Sequence, residues 1–280
     1  MTRFDIDNYP VVMYSTDIIH YAYYRVSNTT MGTQTGLLGK ITRVEMSLHH
    51  VLYISYLLPK SRVRKLVPEE LPLAVVDSDY VFVSVVILQS SGVRLSSLPF
   101  PKFTYNQVNI RTYVLDPKSK QQAVFFLQSG VTSLVISLLT RSIGIPWQHI
   151  SVELEIGTDR RGNYQSYRAG GIWGQPFSVV AEGTPEHPIT IAPFGDVDKA
   201  ISYLVRPLMG FFGQTGKTRG FRIWHPEVQP HGGLIKQIQF PLLNSLNLLD
   251  EPAISKPDSI LLVPDAYFYI YMPPERIGIK

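Results

Sequence analysis

The sequence predicts a mainly β fold of the α+β class, and three observations carry that prediction. Runs rich in β-branched and aromatic residues recur along the chain, separated by turn residues. Only two longer segments carry apolar residues at helical spacing. No internal repeat, low-complexity tract or linker interrupts the pattern. Together they point to one mainly antiparallel β domain, built as a closed barrel or as two curved sheets, with about two core helices.

Residues 1–40 read as an N-terminal extension, and residues 41–280 as the β domain. Leu48 to Leu58 is a strand that Pro59 ends, followed by a short helix over 60–67 with Val63, Leu66 and Val67 inward. Tyr80 to Leu88 is almost wholly apolar, as expected of a strand buried on both faces. Thr104–Val114 and Gln121–Gln128 form a hairpin around Asp116-Pro117-Lys118-Ser119. Ser129 caps a helix whose apolar residues Val131, Leu134, Val135, Leu138 and Leu139 recur at helical spacing, and Gly144 with Pro146 stops it. From Gln148 to Ile156 the chain alternates, with Ile150, Val152, Leu154 and Ile156 on the buried face. Strands follow near 164–169 and 175–182. Asp196 or Asp198 starts the second helix, with Val197, Ala200, Ile201 and Leu204 apolar, and Pro207 ends it. Strands near 220–225 and 233–241 come next, and residues 244–256 break into loop. The closing strands are Ile260–Val263 and Ala266–Met272, before Pro273-Pro274.

Hydrophobic residues make up 45% of the 280 and charged residues 17%, enough for a sizeable core and against general disorder. Zero cysteines exclude disulfides and thiolate metal sites, which fits a cytoplasmic protein. The net charge of +4 is spread along the chain, so no nucleic-acid partner is expected. No run approaches the roughly 20 apolar residues of a membrane helix, and no membrane partner is expected.

The strand 104–114 carries the chemistry. Its period of two sets Tyr105, Gln107, Asn109, Arg111 and Tyr113 on one face, with a hydrogen-bonding group at every position. Pointed into an apolar cavity, Arg111 offers a two-pronged fork for a carboxylate. Pointed at water, the same face is an ordinary polar surface. Histidines 49, 50, 149, 187, 225 and 231 have no helical metal spacing, and His49 and His50 point to opposite strand faces, so no metal is expected. Gly213 to Thr218 mimics a phosphate loop but has Phe211 where the first glycine belongs. No serine lies in a Gly-x-Ser-x-Gly elbow. Lys236 lies on an apolar strand face, where a snorkelling role is commoner than a buried amine.

The loop Gly144-Ile145-Pro146-Trp147-Gln148 resembles the Gly-x-Pro-Lys-Lys turn of the acetoacetate decarboxylases, which supplies their Schiff-base lysine. Lys65 to Leu73 resembles the segment before their first buried strand. Asn109-Ile110-Arg111-Thr112-Tyr113-Val114 is similar to the Asn-Val-Arg-Thr-Tyr-Val strand of the YqjF-like branch of that superfamily. Val124 to Leu127, Ile260 to Pro264 with Tyr267-Phe268, and Pro273-Pro274 also fit, and His225-Pro226-Glu227 fits more loosely. The resemblance runs from about residue 48 to 275. It implies a closed, cone-shaped antiparallel barrel around an enclosed cavity. Trp147 and Gln148 stand at the two lysine positions, and neither supplies an amine for a Schiff base. Gln107 stands where that branch has Glu.

The expectation is therefore a protein binding an organic acid or a partly apolar anion, without cofactor. Its ligand site would comprise Arg111, Tyr105, Gln107, Tyr113, Trp147 and Gln148, with catalytic residues unassigned and a homo-oligomer allowed. Two alternatives stand beside it. One is a lyase, isomerase or hydratase of another mechanism, with Tyr113 or His149 moving the proton. The other is a structural or interaction protein with a filled barrel.

Overall fold

The computed structural model describes residues 42–184, 189 and 191–277; the 1–40 extension and His187 lie outside them. Thirteen strands and five short helices alternate in the described residues. β1 (Thr42–Pro59) runs into helix α1 (Lys60–Arg64), whose Val63 is buried, and then β2 (Tyr80–Leu95). The hairpin β3 (Phe103–Leu115) and β4 (Gln122–Val131) turns on Asp116, whose carboxylate accepts from the Lys118 and Ser119 amides. Helix α2 (Leu134–Ser142), β5 (Gln148–His149), β6 (Ser151–Thr158), β7 (Tyr164–Trp173) and β8 (Gln175–Gly183) follow. Then come α3 (Val197–Leu204), β9 (Met209–Phe212), β10 (Arg219–Trp224), β11 (His231–Gln239), α4 (Pro241–Ser245), α5 (Glu251–Ile254), β12 (Ser259–Met272) and β13 (Glu275–Arg276).

Seven strands close a ring in the order β10-β9-β4-β3-β2-β1-β12, and β12 returns to β10 through Ile223↔Ile270 and Trp224↔Tyr269. A second layer, β6-β7-β8-β11, covers the outside of this barrel. β11 belongs to both: His231 and Gly232 pair with β12, and Gly233 onward pairs with β8. The barrel and the two curved sheets that the strand pattern left open are thus both present.

Strand alternation divides the core. The outward face of β1–β4 (Leu52, Ile54, Val83, Val85, Ile87, Val108, Ile110) packs against Val152, Tyr167, Phe177 and Val179 of the second layer. The inward face holds two further clusters. One joins Tyr53, Phe82, Val86, Tyr113 and Leu261 to Ile201, Tyr203 and Leu204 of α3. The other joins Met46, Tyr105, Val131, Phe212, Phe221 and Ile270 to Ile136 and Trp147. β2 is buried on both faces because it sits mid-ring with a layer on each side, as its valine run implied. Within the barrel, Gly210 lies beneath the Phe126 and Phe221 rings, each 2.9 Å from where a Cβ would stand.

Several expectations change. Val131 belongs to β4, and the α2 cap is Ser133, whose Oγ accepts from the Ile136 amide. α2 buries Ile136 and Ser137, while Leu134, Val135, Leu138 and Leu139 are each more than half exposed, so the apolar stripe that the spacing marks faces away from the core. Gly144, at φ +84, ends the helix as expected. Asp196 caps α3 by accepting from the Asp198 amide, but Val197 is exposed. Residues 244–256 contribute to two short helices rather than loop, and β9 and β13 had no sequence signal. The closing strand is continuous from Ser259 to Met272. No helix of the described residues is long and apolar enough to cross a membrane.

Candidate functional site

Tyr105, Gln107, Asn109, Arg111 and Tyr113 all lie on the inward face of β3, and all but Arg111 are almost fully buried. Arg111 sits at the α3 end. Its guanidinium carbon is 5.0 Å from the Tyr53 ring centre and 5.6 Å from that of Tyr113. Arg111 Nη2 donates to the Leu204 carbonyl at 2.7 Å, and Tyr113 O–H donates to the same oxygen at 3.0 Å. Leu204 ends α3, so its carbonyl lacks an intrahelical partner and carries the negative end of the helix dipole.

A chain of hydroxyls stands behind it. Tyr113 has spent its proton on Leu204, so Ser84 donates to Tyr113 at 2.8 Å and Ser55 donates to Ser84 at 2.7 Å. Both serines are fully buried. This relay orients the Tyr113 ring and, with α3, the guanidinium. Arg111 is nevertheless incompletely satisfied: its Nε is buried and has no partner among the described residues. None of the ion pairs found among those residues includes Arg111.

His225, just past β10, stacks on Phe268 at 5.6 Å with the rings 4° from parallel. Only Nδ1–H donates to the Pro226 carbonyl, 2.8 Å away, which leaves the lone pair on Nε2. Burial holds its pKa below the ordinary 6.5, the Pro226 carbonyl pulls it up, and the charges of Arg111 and Arg206 push it down. Arg206 pairs with Glu227. The histidine that the Arg111 charge reaches is therefore His225, a residue considered from sequence only as a metal ligand and as a loose family match. The proposed proton carrier His149 is exposed on β5, away from the barrel interior.

The expected lining residues separate. Arg111 and Tyr113 come together at α3. Trp147 and Tyr105 share the other inward cluster, and six residues of strand, about 20 Å, separate Tyr105 from Arg111. Gln107 lies between, donating to Asn109 Oδ1 at 2.9 Å. Gln148 is outside altogether: it is exposed, donates to Gln128 at 2.7 Å and accepts from Trp173 Nε1 at 2.8 Å. Gln148 and His149 form β5, which pairs with β4 at Gly130 and Val131, and both are exposed. Sequence reasoning missed Tyr53, Ser55 and Ser84. The available signal was a serine inside an otherwise apolar run, since a buried hydroxyl requires a partner.

Every lysine among the described residues is exposed, and Lys236 pairs with Glu182 at 2.6 Å. Two clefts, of about 380 and 110 Å³, lie elsewhere: one between β11 and residues 255–260, the other beside β10 and Tyr271. Neither includes Arg111.

A seven-stranded ring with an outer sheet and a helix against its inner face is the acetoacetate decarboxylase-like architecture, and solved structures agree. An acetoacetate decarboxylase-like enzyme from Sphingomonas wittichii RW1 superposes with TM-score 0.54 at 12% identity, over 90% of this chain and 98% of that one. The enduracididine biosynthesis enzyme MppR, complexed with the condensation product of pyruvate and imidazole 4-carboxaldehyde, gives 0.51 at 12%, over 87% and 90%. Acetoacetate decarboxylase from Legionella pneumophila subsp. pneumophila str. Philadelphia 1 gives 0.50 at 11%, over 90% and 95%. The chain belongs to the DUF2071 family, described as "Uncharacterized conserved protein", whose model matches residues 45–265. No curated protein matches the sequence significantly.

Proposed function

We propose that this protein binds a small organic acid, or a partly apolar anion, inside the barrel with Arg111 as its anchor. The supporting observation is a half-buried guanidinium whose Nε is buried and unpartnered, with no carboxylate pairing among the described residues. Desolvating a cation without a counter-charge is unfavourable, and a carboxylate ligand offsets that cost while taking a two-pronged bond. Tyr53 and Tyr113 flank the anion, and Gln107 and Asn109 extend the polar strip toward the apolar Tyr105–Trp147 end. Trp147 at the first of the two lysine positions, with every described lysine exposed, argues against Schiff-base decarboxylation.

The test is thermal unfolding against a panel of small carboxylates that includes acetoacetate and pyruvate. A ligand at 100 times its Kd stabilises by about 2.7 kcal/mol, and Arg111→Met abolishes the shift. Equal shifts in the variant, or none with any acid, refute the site. Borohydride with acetoacetate leaves the chain unmodified; a lysine adduct refutes the exclusion of Schiff-base chemistry.

His225 favours a second reading, in which the bound acid also exchanges a proton at Nε2. Deuterium exchange at the α-carbon of a bound keto acid would then fall about 100-fold in His225→Gln. Exchange at an unchanged rate refutes it. We also propose that the chain self-associates through the outward face of α2.

A further inference from the structure

A second cluster lies on the outward face of three neighbouring strands. His49 on β1 is directly opposite Asp265 on β12, and diagonal to Ser91 on β2, which pairs with Ser47. Asp265 Oδ1 is 2.6 Å from His49 Nδ1, and His49 Nε2 is 2.7 Å from Ser91 Oγ. A carboxylate only accepts, so Nδ1 carries the proton, Nε2 carries the lone pair, and Ser91 O–H donates to it. A nucleophile bonded to a base that a third group orients is the arrangement that activates a hydroxyl.

The backbone around the cluster is irregular on both strands. Ser91 is half-buried and Gly92 is exposed at φ +62, with nothing within 4 Å of where its Cβ would stand. The registers slip there, and Gly92 has no partner position on β1 or β3. Bulges of this kind re-aim a side chain and concentrate near active sites. Beside His49, His50 holds φ +53, a left-handed conformation uncommon for a residue with a side chain. Its ring centre is 6.3 Å from that of His49, and its Nδ1 is 3.2 Å from Tyr164 O–H on β7. An open glycine after an activated serine leaves room for a planar acyl group over the strand.

We infer that Ser91, His49 and Asp265 form a nucleophilic site on the outer wall of the barrel that hydrolyses short-chain carboxylic esters. Ser91 Oγ adds to the ester carbonyl carbon as its proton passes to His49 Nε2. The C–O bond to the alcohol breaks, and the alkoxide leaves with that proton. Water then attacks the acyl-serine, giving its proton to His49, and the Ser91–acyl bond breaks to release the acid while His49 returns a proton to Oγ. Asp265 is a positioning residue that holds the imidazole tautomer and its positive charge. The acyl group is short because neither cleft described above adjoins Ser91.

The full chain treated with a fluorophosphonate, followed by peptide mass spectrometry, tests this. Ser91 becomes phosphonylated, and the rate falls about 100-fold or more in His49→Ala. Asp265→Asn, a milder change, lowers it at least about tenfold, and Asp265→Glu, which keeps a carboxylate to accept from Nδ1, restores most of the rate. p-Nitrophenyl acetate is turned over by wild type and not by Ser91→Ala. A folded chain with Ser91 unlabelled overturns the inference. So does labelling at an unchanged rate without His49 or with Asp265→Asn, or ester turnover that survives Ser91→Ala.

Discussion

Arg111 stands where folding alone would not put a charge. Its neighbours are phenols, a helix-end carbonyl and apolar side chains, and its Nε is unpartnered. Replacing a buried ion pair by apolar residues of similar volume is often neutral or stabilising by about 1–4 kcal/mol, and Arg111 has no carboxylate partner among the described residues to lose. Arg111→Met should therefore leave the ligand-free protein as stable in urea as wild type, or more so, while losing its response to carboxylates. A loss above about 2 kcal/mol without ligand would make Arg111 a structural residue. His225 gives a pH signature. Its folded pKa is below 6.5 and its unfolded value near it, so below pH 6.5 the unfolded chain binds the extra proton and stability falls with pH. Above that value both states are neutral and His225 contributes no slope. His50, depressed chiefly by burial and by His49 against the pull of Asp265, acts in the same direction. Urea midpoints at pH 7.5 and 5.5 should thus differ, and by less in His225→Gln. At this scale the strand period in the sequence showed that Arg111 and Tyr113 share a face. It could not show Tyr53 or the Leu204 carbonyl, because those partners arrive from β1 and α3, far along the chain.

α2 shows what periodicity does and does not specify. The spacing of Leu134, Val135, Leu138 and Leu139 marks one apolar stripe, and the hydrophobic effect says only that such a stripe should be covered. Here the barrel instead takes the opposite side, because Ile136 joins the Trp147 cluster and Ser137 Oγ donates to the Trp147 carbonyl at 3.0 Å. That bond ties the helix to the loop it feeds. Together with Ile143 the exposed stripe presents roughly 400–500 Å² of apolar surface, as large as the largest patch on a typical monomer. Arg141 is the sole charged residue of the helix. A two-fold pairing of copies suits so uncharged a stripe, and with a polar rim it approaches the roughly 800 Å² per partner of a stable interface. Ile136→Ala should cost about 2–4 kcal/mol in unfolding. Leu138→Glu should leave the unfolding free energy of the isolated chain within about 0.5 kcal/mol, yet yield a monomer in sedimentation where wild type is dimeric. Wild-type monomer at all concentrations would refute the pairing.

At the scale of the molecule, the valine-rich strand buried on both sides was the most informative stretch of sequence, since it requires a layer on each face of the ring. Closure itself was not legible, because it rests on two residue pairs between β10 and β12 and on the unheralded β9. The two layers also share their interior. The largest cluster contains outward residues of β1–β4 together with Val152, Tyr167, Phe177 and Val179 of the outer sheet. Polar contacts cross the same boundary: Tyr167 O–H donates to the His50 carbonyl at 3.0 Å, and Asn106 Nδ2 donates to the Val152 carbonyl at 3.1 Å. Stripping the outer sheet from the barrel would uncover Leu52, Ile54, Val85 and Ile87 at about 1.5–3 kcal/mol each, so neither layer is expected to persist alone. Residues 42–277 should consequently melt in one transition, with tryptophan fluorescence and far-ultraviolet circular dichroism coinciding. The two probes report different regions, since Trp147 lies in the barrel, Trp173 in the outer sheet and Trp224 at the closure. Fluorescence midpoints that separate when Trp173 or Trp147 is replaced by Phe would show the layers unfolding independently, and the shared core would then not be what couples them.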